Sequence, residues 1–417
     1  MRIAIVGAGV SGLTTAHLLG PGHEVTVFEA AGYAGGHTNT IRVDTADETH
    51  HVDTGFIVFN DRNYPNFQRL LERLRVASQP STMTFSVSDG RGDFEYNGSS
   101  PNGLFAKRAH LVTPWFHRML ADMARFNRSA RELLAPGNTA AGGPSLGHWL
   151  EQQRFSRPFI ERLIVPQASA VWSADPAQMW SFPARFMAEF FDNHGMLGFR
   201  DRPRWRTISG GSARYVEALL SAFPGRVRLR TPVTRVVREA DRVLVTPAGG
   251  EPEPFDEVVL ATHSDQALMM LGDATRAERD LLSAIPYQAN QAVLHTDVQM
   301  LPRRRRAWAS WNYHLLDAPQ DRSTVTYHMN RLQSLRSEQE FCVTLNRTGE
   351  IDPRQVIRTI DYAHPVYTAA GVDAQRQFGE INARNRTHFC GAYWGWGFHE
   401  DGVVSALRVA ERFGASL

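Results

Sequence analysis

Residues 2–12, Arg2-Ile3-Ala4-Ile5-Val6-Gly7-Ala8-Gly9-Val10-Ser11-Gly12, decide the fold. Arg2 to Val6 has the pattern of a short buried strand. It stops at a glycine-rich turn and continues as a helix through Leu13, Ala16, Leu18 and Leu19, which Pro21-Gly22 ends. A second strand, Glu24 to Phe28, delivers Glu29 and then Ala30 at its carboxyl end and completes a βαβ unit. In such a turn Gly7 permits the bend, Gly9 lets the backbone approach a pyrophosphate, and Gly12 lets helix and strand pack closely. The helix N-terminus then binds the phosphates, with Val10 and Ser11 among the expected cofactor contacts. Glycines also mark ordinary turns, but here a strand precedes, a helix follows, and an acid comes about 20 residues on. The Glu29 carboxylate suits a free ribose diol and would repel a 2′-phosphate, so FAD or NAD fits and NADP does not.

At 417 residues the chain exceeds a single average domain and leaves room for an enzyme pocket. A net charge of +2 and 21% charged residues exclude a disordered chain and give no sign of nucleic-acid binding. Cys342 and Cys390 are too few for a disulfide framework or a metal site and suit a reducing compartment. Met1 leads straight into the first strand, and no stretch reaches the ~18 apolar residues of a membrane span. The expectation is a cytoplasmic protein that can still touch a membrane. Lys107 is the only lysine.

Apolar spacing predicts helices at Phe67 to Leu74 and within Leu104 to Leu134, and helical character over Ser145 to Leu150 and Pro158 to Ile164. The block from about Gln79 to Arg204 reads as a mainly helical insertion with hairpin structure at its start. Strands follow at Val227 to Val237, Arg242 to Thr246 and Glu257 to Ala261, with further strands at Leu294 to Asp297 and Thr324 to Met329. Val403 to Phe413 is a terminal helix, and Ala135 to Pro144 the linker-like stretch.

FAD is favoured over NAD by a second glycine turn, Gly32, Gly35 and Gly36, followed by His37 and Thr38. Here the sequence resembles the amine oxidase and phytoene desaturase superfamily of flavoproteins, in which a Gly-Gly element is usually completed by Arg. His37 occupies that position. Val52-Asp53-Thr54-Gly55-Phe56 matches the superfamily's next element, near the flavin. Val233 to Val236 resembles its adenine-side strand, and Leu260-Ala261-Thr262-His263 the strand end behind the cofactor. At the other end, Phe389-Cys390-Gly391-Ala392-Tyr393 followed by Trp394 to Gly402 reads as strand, glycine turn, then helix, where the superfamily covers the flavin. Gly391, Tyr393, Gly397, Phe398, Glu400 and Gly402 are its expected contacts. Aromatics interleaved with glycines also suit backbone close to a flat ring system. The resemblance implies an α/β fold: a Rossmann-type FAD-binding domain (1–75, 205–265 and 375–417) interleaved with an α+β substrate domain (76–204 and 266–374), amine oxidase-like in plan.

The wording GGHTNT, VDTGFIVFN, TISGGSARY and AYWGWGFHEDG is similar to a bacterial subgroup linked to cyclopropane-type, methylated and furan fatty-acid modification. It implies a desaturase or dehydrogenase of a phospholipid acyl chain, passing hydride to flavin N5. Many amine oxidases of the superfamily use a lysine near N5, and Lys107 lies far from every flavin motif. Oxidation of an amine, and a non-catalytic flavin-binding role in lipid modification, are the competing readings. Val165 to Ser173 with Phe182, Phe186, Phe190, Phe191 and Met196 supplies an apolar lining or plain core. His194 is the leading candidate proton acceptor, against a satisfied core histidine. His399 and Glu400 are the alternative, with Glu400 otherwise capping the final helix. Arg303-Arg304-Arg305-Arg306, followed by Trp308 and Trp311, is the candidate membrane surface, against a solvated charged loop. No metal is expected.

Overall fold

A computed structural model of the chain describes residues 1–46, 48–135, 143–198, 202–317 and 321–417. Strand β1 (Arg2–Val6), helix α1 (Val10–Leu19) and strand β2 (Glu24–Phe28) form the expected βαβ unit. β1 pairs in parallel with β2 on one side and with Glu257–Leu260 on the other. Ile3, Ala4 and Ile5 are fully buried, as a strand covered on both faces requires. The five-stranded sheet runs Arg226–Arg228, β2, β1, Glu257–Leu260, Thr387–Phe389, so three distant stretches of chain share one layer. One face packs on α1 and the terminal helix His399–Glu411. The other meets a three-stranded antiparallel sheet through Phe28, Val236 and Val245.

A second, seven-stranded sheet includes the hairpin Phe85–Ser88 and Glu95–Asn97, and pairs Tyr287–His295 with Val356–Pro365. Helices Pro114–Leu134 and Ala184–Asn193 pack beside it in the largest core, burying Phe116, Phe126, Phe159 and Phe191. Each such ring contributes about 1.5–3 kcal/mol on burial. Helix α2 (Pro65–Arg73) starts two residues earlier than its apolar spacing indicates, with proline at its first turn. Of the linker-like Ala135 to Pro144, residues 136–142 lie outside the described residues.

Part of the arginine run braces the neighbouring hairpin and loop. Arg304 pairs with the buried Glu95 at 2.9 Å, and Arg306 Nε donates to the Ala106 carbonyl. Trp308 is 9% exposed, donates Nε1–H to the Pro302 carbonyl and lies under the Arg305 guanidinium. Trp311 packs edge-on against Tyr327 at 5.1 Å. Arg303, Arg305 and Arg306 are exposed, Trp308 is buried and Trp311 is half-buried. Among the described residues no helix is long and apolar enough to cross a membrane.

Candidate dinucleotide and substrate site

The turn between β1 and α1 is built for close approach. Gly7 has φ +104°, and a Cβ there would lie 2.6 Å from the Ala261 carbonyl oxygen; a Cβ on Gly12 would run into the Gly7 carbonyl. At Gly9 a Cβ would meet nothing within 4 Å, so this face of the turn stands open. α1 has no side-chain cap and no acid in its first turn, leaving the Val10 and Ser11 end to attract an anion. Glu29 Oε2 accepts from the Ala8 N–H at 2.7 Å and Oε1 from Ala31 at 2.8 Å, tying the first glycine turn to the second. Gly35 N–H donates to the Ala8 carbonyl, and Gly36 packs on Gly9. His37 Nε2, Tyr367 OH and Tyr393 OH are buried without partners. An open cradle, a cap-free helix end and orphaned polar atoms fit FAD: Gly9, Val10 and Ser11 for the diphosphate, Glu29 for the ribose.

Behind the cradle, expected contacts take different parts. Asp53 turns its carboxylate inward, accepting from Thr40, from the Ser212 N–H and hydroxyl, and from Gln333 Nε2 at 2.9 Å. Burial pushes it up to about 7, opposed by the Thr40 and Ser212 hydrogen bonds. Thr54 bonds Asn39 and Tyr362, and Gly55 packs on the His37 carbonyl. Phe56 stacks on His399 at 3.4 Å, while His399 Nε2 shares hydrogen bonds with Thr38 (2.9 Å) and the Tyr215 hydroxyl (3.1 Å). Burial, with His37 next, holds His399 well below its ordinary value. His399 thus positions its neighbours and, with both Nε2 contacts inside the protein, is not aimed at the aromatic wall.

Glu400 lies in the first turn of the final helix, where its charge suits the N-terminal dipole, and it also reaches a second helix. Its carboxylate accepts from the Asn66 and Phe67 N–H groups and caps α2; Asp401 takes the Phe398 N–H and caps the terminal helix. Gly402 lets that helix lie against Val10 and Ser11. Thr262 packs at Gly7, Val233 pairs with Pro247 in the antiparallel sheet, Tyr393 folds over Gly391, and Gly397 faces the Tyr367 hydroxyl.

Phe398 leads from the glycine turn into a wall of rings. It stacks on Phe190 at 5.2 Å; Trp172 meets Phe182 at 4.6 Å and Phe190 at 4.9 Å; Tyr367 stacks on Phe186 at 5.0 Å; Trp396 lies 6.1 Å from Phe190. His194 ends helix Ala184–Asn193 against this wall, its ring 3.9 Å from Phe190 and 6.4 Å from Trp396. Its Nδ1–H donates to the Phe190 carbonyl at 2.9 Å, so the neutral ring keeps its lone pair on Nε2. Burial lowers it to about 4. Sequence reasoning missed Ser212, Tyr215, Gln333, Tyr362, His364 and Tyr367. Of these only Ser212 and Tyr215 fall in a quoted motif, TISGGSARY.

This cradle, closed by a C-terminal glycine turn and joined to a second sheet, defines a dinucleotide-binding flavoprotein. The chain belongs to the flavin containing amine oxidoreductase family, whose model matches residues 10–302, and its cofactor is FAD. Among curated relatives it is 28% identical over 319 residues to L-amino-acid oxidase of Mus musculus, covering 70% of this chain and 46% of that one. It is 27% identical over 210 residues to the chloroplastic/chromoplastic zeta-carotene desaturase of Arabidopsis thaliana, covering 46% and 36%. The chain spans about half the length of the first curated relatives it matches. In fold it is similar to cyclohexylamine oxidase from Brevibacterium oxydans IH-35A (TM-score 0.71, 16% identity, 99% of each chain). It is also similar to a CLA-producing fatty acid isomerase from P. acnes (TM-score 0.66, 15% identity, 99% and 98%).

Proposed function

We propose that the protein is an FAD-dependent oxidoreductase that desaturates an apolar acyl chain, that of a methylated phospholipid. The observation that carries this reading is the ring wall of Trp172, Phe182, Phe186, Phe190, Tyr367 and Trp396 beside the glycine turn. An ammonium substrate gains little there beyond cation–π contact, whereas a hydrocarbon gains about 0.8 kcal/mol per buried CH₂. The Asp401 carboxyl near Tyr367 is pushed up to about 7 by burial and already accepts from Phe398, which makes it a weak counter-ion. Lys107 is paired with Asp93 at 3.2 Å, on the hairpin that braces the arginine run.

When bound, FAD supplies the acceptor for a hydride. The ring wall holds the chain and excludes water, and His194 Nε2 takes the adjacent hydrogen as a proton, so one C–H leaves with its electron pair, its neighbour without, and C=C forms. Bound FAD would hold the electron pair until oxygen or another carrier took it. The likeness to a carotene desaturase and to the fold of a fatty acid isomerase supports this class of substrate. Amine oxidation is the second reading, favoured by the likeness to amino-acid and cyclohexylamine oxidases. Incubation with a methyl-branched phospholipid, followed by mass spectrometry, tests the first: lipid that loses two hydrogens supports it. Unchanged lipid from a protein that deaminates amines contradicts it.

A further inference from the structure

We propose that His37, His263 and His364 form an anion subsite that takes up protons to balance the diphosphate of the bound cofactor, in place of a fixed arginine charge. The proposal rests on the FAD reading. His37 follows Gly36, which packs on Gly9, and His263 lies two residues past Ala261, whose carbonyl meets Gly7, so both rings arise next to the phosphate turn. His37 lies 6.0 Å from His263 and 5.2 Å from His364.

Tyr362 stacks on His37 at 4.9 Å, and Tyr287 on His263 at 4.4 Å. Asn290 Nδ2 lies 3.0 Å from His364 Nδ1, and the Ala363 backbone bonds His37, whose Nε2 is buried without a partner. The other titratable groups at hand are His399, Tyr33 on the Gly36 carbonyl, Asp265 behind Tyr287, and Asp53 beyond Tyr362. No carboxylate ranks among the groups acting on the three histidines; burial and mutual repulsion lower them to about 4, 4 and 3. Among the described residues no such cluster can hold a metal ion. Neutral rings bring no charge to a diphosphate, and an arriving anion raises their proton affinity. Above about pH 4, each proton taken up tightens binding up to tenfold per unit fall in pH.

The test is calorimetric titration of the full chain, stripped of cofactor, with FAD at about pH 6 in two buffers of different ionisation enthalpy. The expected result is net uptake of about one proton. That uptake falls in His37→Arg, whose charge is permanent, and in His263→Asn. FAD binding with no proton uptake, or with uptake unchanged in both variants, overturns the proposal while leaving the cofactor reading intact. A protein that takes up no FAD in either buffer overturns both.

Discussion

At the scale of the residue, His194 and Gly12 carry the sharpest consequences. With the Nδ1–H committed to the Phe190 carbonyl, His194→Gln removes the Nε2 lone pair but retains a polar group. The rate of anaerobic flavin reduction by lipid is expected to fall by about 10²–10⁴-fold, with FAD content unchanged. Because burial lowers His194 to about 4, the base is neutral at ordinary pH. The wild-type rate should be flat above about pH 5 and fall as the ring protonates through about 4. An unchanged rate in the variant would make His194 a packing residue. Gly12→Ala places a methyl against the Gly7 carbonyl, a clash between two backbones that cannot both yield. It is expected to cost about 1–3 kcal/mol and to give a protein that purifies with little or no flavin absorbance.

At the scale of the element, Glu400 separates a cap from a cofactor contact. Its carboxylate accepts from Asn66 and Phe67 at the start of α2, so Glu400→Ala should cost about 1–2 kcal/mol and lower the thermal midpoint with the flavin spectrum unmoved. A shifted spectrum at unchanged stability would instead place Glu400 on the cofactor. The same residues show what the sequence could disclose. The two strands of the βαβ unit were legible to the residue because each is specified locally, while the helix begins at Val10, inside the stretch read as turn. The terminal helix begins at His399 rather than Val403, since Asp401 fixes its start four residues ahead of the apolar run. The strand expected at Leu294 to Asp297 runs from Tyr287 to His295, its first half too polar to show a buried pattern, yet paired along Val356–Pro365. Tyr215 meets Thr38 across 177 positions and Tyr362 meets Thr54 across 308, and no spacing rule reaches that far.

At the scale of the molecule, many histidines are held neutral by burial. His37, His194, His263 and His295 are lowered to about 4, His364 to about 3, and His314 and His399 well below their ordinary value. Below about pH 6.5 the unfolded chain binds protons that the folded chain does not, so stability falls as pH drops toward about 4. Asp53 and Asp401, raised to about 7, act in the opposite sense: their share is complete below about pH 4 and lost as pH rises through 7. The histidines outnumber them, and urea midpoints for the FAD-free chain should decline from about pH 7 to about pH 5. A midpoint that rises over that interval would assign the pH dependence to the two carboxyls.

In the proposed function an apolar chain, and not an amine, delivers electrons to the flavin. Mixing the FAD-loaded protein anaerobically with methylated or unsaturated phospholipid, and separately with a panel of amines, tests it while the visible flavin absorption is followed. Bleaching by the lipid and none by the amines is expected. Bleaching by amines alone would contradict it and return the ring wall to the service of an amine oxidase.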